Sequence, residues 1–295
     1  MNHPFRFGVQ AASIQSSAEW VALARKAEEL GYSTLLIADR TSIGALAPIP
    51  ALAVAAAVTT TLRVGSYVFS NEYRHPVLLA REAATLDLLS GGRFELGLGA
   101  GVSGDEAQKM GMTFGSAGTR VERLKESIQL MKQLFTQETV NFSGKHYTIS
   151  GLKGQIKPVQ QPHLPILVAG AGERMLKLAA REANIIAIGN KIGPRGVDPT
   201  DPPLEQKIAW IKEAAGERAA SLELCQTIYG LEITDSAAPL PPQTGGWSIP
   251  RQPMTTAQAV DHLLEQRKRY GFSYLQIAQW QVENFAPVVA RLAGK

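Results

Sequence analysis

Eight apolar runs, each with the make-up of a buried strand and each followed by a stretch of helical periodicity, recur from one end of the chain to the other. This alternation restricts the fold to a parallel sheet whose crossovers are helices. The runs are residues 5–10, 34–39, 62–69, 93–99, 166–169, 185–188, 222–233 and 274–277. Most are near-continuous in apolar residues, as strands covered on both faces must be. Between them, Trp20, Leu23, Ala24, Ala27 and Leu30 form one helical stripe closed by Gly31, and Val121, Leu124, Ile128, Met131 and Leu134 form another. Further helices are predicted over 50–60, from Pro76 to before Gly91, and over 173–183, 204–216, 256–270 and 284–292.

Two architectures satisfy this pattern. A doubly wound open sheet places a glycine-rich fingerprint directly after its first strand, and Gln10-Ala11-Ala12-Ser13 carries none. A closed (β/α)8 TIM barrel takes about 250 residues, more with insertions, and the chain has 295. The expected fold is therefore α/β, a single TIM-barrel domain over residues 1–295. Its insertions follow strands 4, 6 and 7: a hairpin at 139–149 turning on Ser143-Gly144, a Gly- and Pro-rich loop at 189–203, and an irregular Pro-rich loop at 236–253.

Charge narrows the partners. The 30 Lys and Arg against 26 Asp and Glu give a net +4, scattered without a basic run, which speaks against nucleic acid. Cys225 is the only cysteine and lies in an apolar run, so it is expected in the core, in a chain of the reducing cytoplasm. No secretory leader is expected at Met1-Asn2-His3-Pro4, and no apolar run is long enough for a bilayer.

In a barrel of this kind, ligands bind where the strands end, among the βα loops. Those ends present Gln10 and Ser13, then Asp39 and Arg40, then Asn71, Arg74 and His75, then Gly99-Ala100-Gly101. Ala169-Gly170-Ala171-Gly172-Glu173-Arg174 follows strand 5, and Lys191 lies beyond strand 6. The strand-5 turn opens a helix whose free amides would favour a phosphate, with Arg174 and Lys191 adding charge; a plain tight turn is the alternative. The small residues at 99–101 would make room for a flat ring, or mark close packing at the mouth. Asp39 would accept a hydrogen bond from such a ring, orient Arg40, or cap a helix. No metal-ligand spacing, nucleophile elbow or Walker loop is present, which favours an organic cofactor as the carrier of the chemistry.

The block Leu86-Asp87-Leu88-Leu89-Ser90-Gly91-Gly92-Arg93-Phe94-Glu95-Leu96-Gly97-Leu98-Gly99-Ala100-Gly101 resembles the signature of the luciferase-like monooxygenase superfamily. Arg74-His75-Pro76, Gly144-Lys145-His146-Tyr147 and the Gly170-Ala171-Gly172 turn are similar to that family too, and the resemblance covers nearly the whole chain. Within the superfamily, Arg6-Phe7-Gly8-Val9-Gln10 and Thr61-Leu62-Arg63-Val64-Gly65 look closest to the coenzyme F420-dependent oxidoreductases. The resemblance implies a deazaflavin in the barrel mouth with its phosphate on Gly170, Ala171 and Gly172. It also implies a bulge in strand 3, often with a non-prolyl cis peptide, near Ser66, Tyr67 and Val68. It further implies an oxidoreductase, here a reductase of an unsaturated small molecule, and a homodimer. FMN as cofactor of a monooxygenase, and a non-catalytic flavin-binding protein, are the alternatives.

Three positions depart from the family's pattern. Arg40 stands where a catalytic His is frequent, Val102 where Glu or Trp occurs, and Asn184 where Asp is common. Arg40 and His75 are accordingly the residues expected to deliver a proton or polarise the substrate. Gln10, Ser13, Asn71, Val102 and Trp247 are expected to shape the substrate side, Trp247 from a lid over 236–253.

Overall fold

The computed structural model describes residues 3–41, 46–101, 104–193, 196–240 and 251–295. Eight parallel strands close into a barrel: β1 (Arg6–Ala11), β2 (Thr34–Ile37), β3 (Arg63–Ser66), β4 (Phe94–Gly99), β5 (Ile166–Gly170), β6 (Ile185–Ile188), β7 (Glu223–Thr227) and β8 (Phe272–Ala278). Each pairs with its successor, and β8 returns to β1 with Arg6 opposite Tyr274 and Gln10 opposite Ala278. Helices α1 (Ser17–Glu29), α2 (Pro48–Ala57), α3 (Pro76–Leu89), α4 (Gly104–Lys109), α5 (Ala117–Thr136), α6 (Glu173–Glu182), α7 (Leu204–Ala215), α8 (Thr256–Tyr270) and α9 (Ala286–Leu292) are packed outside. None of the described helices is long and apolar enough to cross a membrane.

Local chemistry sets the helix ends. Ser16 accepts from the Glu19 amide at 3.2 Å and starts α1, which buries Trp20, Ala24 and Ala27 against the sheet. Thr255 and Gln258 form a reciprocal capping box at α8, and Gly271 ends that helix at φ 86°, where a Cβ would be strained. Fully burying each such large apolar side chain stabilises the fold by about 1.5–3 kcal/mol.

Charge closes the amino-terminal end of the barrel. Arg6 donates to Glu223 at 2.6 Å and to Glu95 at 2.5 Å, while Arg63 donates to the same Glu95 oxygen at 2.6 Å. The Arg6 guanidinium lies 3.5 Å from the centre of the Tyr274 ring. Burial disfavours the Glu95 carboxylate, yet Arg6 and Arg63 together outweigh it and hold that carboxyl below its usual range. Above this layer Leu36, Leu167, Ile185, Ala187, Cys225 and Tyr274 fill the barrel axis, with Cys225 fully buried.

The third strand departs from the expected continuous run at 62–69. It stops at Ser66, turns through a cis Tyr67–Val68 peptide and resumes as Phe69–Ser70, where Phe69 pairs with Leu98 and Ser70 with Gly99. The glycines of β4 allow this. A methyl on Gly97 would lie 1.9 Å from the Ser66 carbonyl oxygen, and one on Gly99 would lie 2.8 Å from Val68. Close packing is thus what these small residues accomplish. The expected seventh strand, 222–233, is also divided: Leu231–Ile233 leaves the barrel and pairs with Gln252–Met254, so the end of the 236–253 loop is strand. The hairpin after β4 is Thr139–Ser143 with Thr148–Lys153, and α4 is an addition to the sequence-based pattern.

Candidate active site at the barrel mouth

Exposure rises along the barrel axis. Leu36, Cys225 and Tyr274 are fully buried at mid-height, whereas Gln10, Tyr67, Val68, Ala169, Thr227 and Tyr229 at the carboxyl ends are only half-buried. This is the open end of the barrel, and most of the sequence-derived candidates sit on its rim.

At the end of β2, Asp39 is 8 % exposed and receives Arg74 at 2.5 and 3.2 Å and the Ser70 amide at 3.1 Å. It therefore ties the resumed third strand to its neighbour, and its guanidinium partner is Arg74 rather than the adjacent Arg40. Arg40 turns to Glu106 on α4, with Nε and Nη2 at 2.8 and 2.7 Å from one carboxylate oxygen, and Tyr73 donates to the other at 3.4 Å. Burial and the Glu106 charge raise the Tyr73 hydroxyl above its ordinary pKa.

Beyond the cis peptide, three consecutive side chains bury polar atoms that lack a hydrogen-bond partner among the described residues: Ser70 Oγ, Asn71 Nδ2 and Glu72 Oε1. The second Glu72 oxygen is bonded to Arg123 of α5. Orphaned buried groups of this kind are costly unless something completes them, and here they offer donors and an acceptor side by side. Ser66 differs: its hydroxyl exchanges bonds with Gly97 at 2.8 and 3.0 Å and fastens β3 to β4. The Ala100 carbonyl accepts from Arg120 at 2.9 Å, and Gly101 has φ 83° beside Phe114.

The strand-5 turn runs from Ala169 through Gly170 and Ala171 to Gly172, which is the N-cap of α6. No side chain caps this ten-residue helix, and a methyl built on Gly172 would meet nothing within 4 Å. Open, uncapped amides beside a half-exposed backbone make an anion cradle. At Gly170, by contrast, a methyl would collide with Met175 at 2.4 Å. The charged flank differs from the expectation. Glu173 pairs with Lys177 at 3.0 Å, and Arg174 reaches Glu122 of α5 at 2.8 Å. The Lys191 side chain is exposed, and its amide donates to Asp201 at 2.9 Å. Lys207, buried on α7, holds that loop through Asp201 at 2.6 Å and the Gly189 carbonyl at 2.8 Å.

Inside the rim lies a polar array that the sequence analysis did not assemble. Gln10 Nε2 donates to Gln276 at 2.5 Å and to Thr227 at 3.2 Å, and the Tyr229 hydroxyl donates to Gln10 Oε1. Tyr67 and Thr227 share a hydroxyl–hydroxyl bond at 3.2 Å, and Gln276 donates to the Cys225 sulfur at 3.0 Å. Of its members only Gln10 and Tyr67 were among the sequence-derived candidates, and the remaining signal was Gln276, a polar residue in the apolar run of β8. Two candidates stand off from this array. Ser13 is exposed, its carbonyl bonded to Gln279 at 2.9 Å. His75 is exposed, accepts from the Val77 amide at 3.3 Å as the cap of α3, and meets Tyr147 edge-on at 5.5 Å. Val102 and Trp247 lie outside the described residues. Among the described residues, no three His, Cys, Asp or Glu side chains gather as a metal site.

The model of the luciferase-like monooxygenase family matches residues 1–223. The chain belongs to the luciferase-like monooxygenase family. Relatives include an F420-dependent glucose-6-phosphate dehydrogenase of Amycolatopsis mediterranei, 33% identical over 60% of this chain and 55% of its own. Another of the same description, from Nakamurella multipartita, is 32% identical over 75% of this chain and 66% of its own. The chain thus spans between about half and two thirds of the length of these relatives. Luciferase-like architecture is shared with the coenzyme F420-dependent tetrahydromethanopterin reductase of Methanopyrus kandleri at a TM-score of 0.78, with 19% identity over 98% of this chain and 100% of that one. It is shared equally with the long-chain alkane monooxygenase LadA, TM-score 0.78, 15% identity, 99% and 92% covered. At such identities the likeness is one of fold, and a luciferase-like barrel serves both deazaflavin and monooxygenase chemistry in these neighbours.

Proposed function

We propose that the chain is a coenzyme F420-dependent oxidoreductase that works as a reductase of an unsaturated small molecule. The observation that carries this is the orphaned trio Ser70, Asn71 and Glu72, buried at the open rim where a ring with its own donors and acceptors would complete them. The uncapped start of α6 at Gly172 supports it as the phosphate seat. The names of the relatives supply the cofactor class.

Bound there, the deazaflavin would supply a two-electron hydride. The chain's own part is to bind, orient and shield. Tyr67, Val68 and the β4 glycines give a wall, and Asp39 with Arg74 holds that wall in place. Asn71, Gly99, Ala100 and Gly101 lie along the same rim. Arg40, paired with Glu106, ties the segment after β2 to α4, and that ion pair occupies its guanidinium.

Glu173 offers a direct test of the phosphate seat. It is the first residue of α6, and Gly172 before it has φ −87° and ψ 155°, which a following proline tolerates. Glu173→Pro thus deletes one amide donor and keeps the helix. Fluorescence titration is expected to show micromolar or tighter F420 binding, weakened about tenfold or more in the variant, the worth of one hydrogen bond to a charged group. Submicromolar FMN binding with no F420 binding would overturn the cofactor assignment.

Assembly as a homodimer and a cytoplasmic location belong to the same proposal. A groove between α2 and α3 is lined by Ile49, Ala53, Leu78 and Leu89, with Leu78 56% and Leu89 72% exposed. Light scattering on the purified chain reads the oligomeric state.

A further inference from the structure

We infer that Tyr229 is the proton-transfer residue of this mouth, and that with Thr227 and Gln10 it receives an uncharged carbonyl or alcohol oxygen rather than a phosphorylated substrate. The inference rests on the oxidoreductase reading above and adds to it the class of substrate and the proton donor.

The rim cations are the first ground. Arg74 is held by Asp39, Arg40 by Glu106, Arg123 by Glu72, Arg174 by Glu122 and Lys207 by Asp201. Asp39 and Glu106 are themselves buried. A substrate phosphate would have to displace a buried carboxylate from its own cation, leaving that carboxylate unpaired in a poorly solvated place. Lys191 is exposed and follows β6, the strand next to the one that leads into α6. The relatives named for glucose 6-phosphate thus share the fold family with a chain in which, among the described residues, these five cations are already paired with carboxylates, while Arg120 is engaged by the Ala100 and Gly115 carbonyls.

The second ground is the array that remains. Gln10, Thr227, Tyr229, Tyr67 and Gln276 converge from four parts of the barrel, and none carries a formal charge at neutral pH. Such groups recognise a neutral oxygen. Within the array only the two phenols hold a proton that chemistry can move. Tyr67 is attached to the wall and bonded to Thr227, whereas Tyr229 stands beyond the end of β7 with its hydroxyl on Gln10. Cys225 lies fully buried beneath, and His75 caps α3 on the outside. Burial pushes the Tyr229 hydroxyl up to about 12, so the group rests as the neutral phenol, with a proton that only a strongly basic oxygen such as a developing alkoxide would draw off.

The step balances in the reductive direction. The carbonyl carbon gains a hydride from the reduced deazaflavin, the C=O π pair moves to oxygen, and that oxygen takes the Tyr229 proton as the Oη–H bond breaks. The phenolate left behind is stabilised by the Thr227 hydroxyl, and it regains a proton from water at the open rim.

The test uses the full chain loaded with F420, a panel of linear, cyclic and aromatic ketones and aldehydes, and glucose 6-phosphate. Wild type is expected to reduce at least one neutral carbonyl and to show no saturable binding of glucose 6-phosphate. Tyr229→Phe should bind F420 within about twofold of wild type while kcat for that carbonyl falls about 10²–10³-fold and KM rises by about tenfold at most. Calorimetric affinity for the matching alcohol should fall about tenfold. Gln10→Ala, which deletes the hydroxyl's acceptor and leaves the phenol, should lower kcat several-fold and serves if the first variant does not fold. Retained kcat in Tyr229→Phe, a preference for glucose 6-phosphate, or no turnover of any panel member by F420-loaded wild type would each overturn the inference. Failure of wild type to bind F420 at all would instead sink the cofactor assignment on which it rests.

Discussion

Glu28, on α1, accepts amide hydrogens from Thr60, Thr61 and Leu62 at 2.8, 2.6 and 2.9 Å and so pins the chain just before β3. Burial works against the charge, but these amides outweigh it and hold the carboxyl down at about 2. A depressed carboxyl stabilises the fold above its unfolded pKa, about 4.3, and that contribution drains away as pH falls toward 2. Glu28→Gln is expected to lose about 1–2 kcal/mol at pH 7, discounted for partial exposure. The gap in urea midpoints between the two proteins should close between pH 5 and 2. At this scale the sequence was half legible. Asp39 could be placed at a strand end, but its partner Arg74 could not, because only the interrupted third strand brings the two together. Glu106 was not singled out in the sequence, and only the fold shows it buried against Arg40.

Two glycines of similar appearance do opposite work in their elements. At Gly97 an added methyl meets the Ser66 carbonyl oxygen at 1.9 Å, a main-chain atom that cannot step aside. Gly97→Ala should cost about 3 kcal/mol or more. Gly172 opens onto empty space with φ −87°, so Gly172→Ala should stay within about 1 kcal/mol of wild type in the same urea titration. A reversed order would show that the β4 glycines do not set the wall. Strands and helices were legible because apolar runs and caps are local signals. The division of the third and seventh strands was not, since Tyr67-Val68 and Ile228-Tyr229 have residue types that suit a continuing strand; the first was anticipated only through family resemblance.

The molecule as a whole separates stability from ligand binding along one axis. The Arg6, Arg63, Glu95 and Glu223 layer lies at the amino-terminal end of the strands, and the candidate ligand contacts among the described residues lie at the other. Glu95→Gln leaves two guanidinium groups short of a partner and should destabilise by about 3–5 kcal/mol. At temperatures where the variant stays folded, F420 affinity should be unchanged; a parallel loss would show the two ends to be coupled. The eightfold repeat made this axis readable in advance, while the polar array inside the rim depends on register among β1, β7 and β8, which no local pattern encodes. A cup floored by matched charges has a single doorway. Of two molecules that must meet inside, the one seated deeper has to enter first and leave last. An unreactive analogue of the outer ligand should therefore inhibit uncompetitively against the inner one, and a mixed pattern in both directions would mean that a side entrance exists.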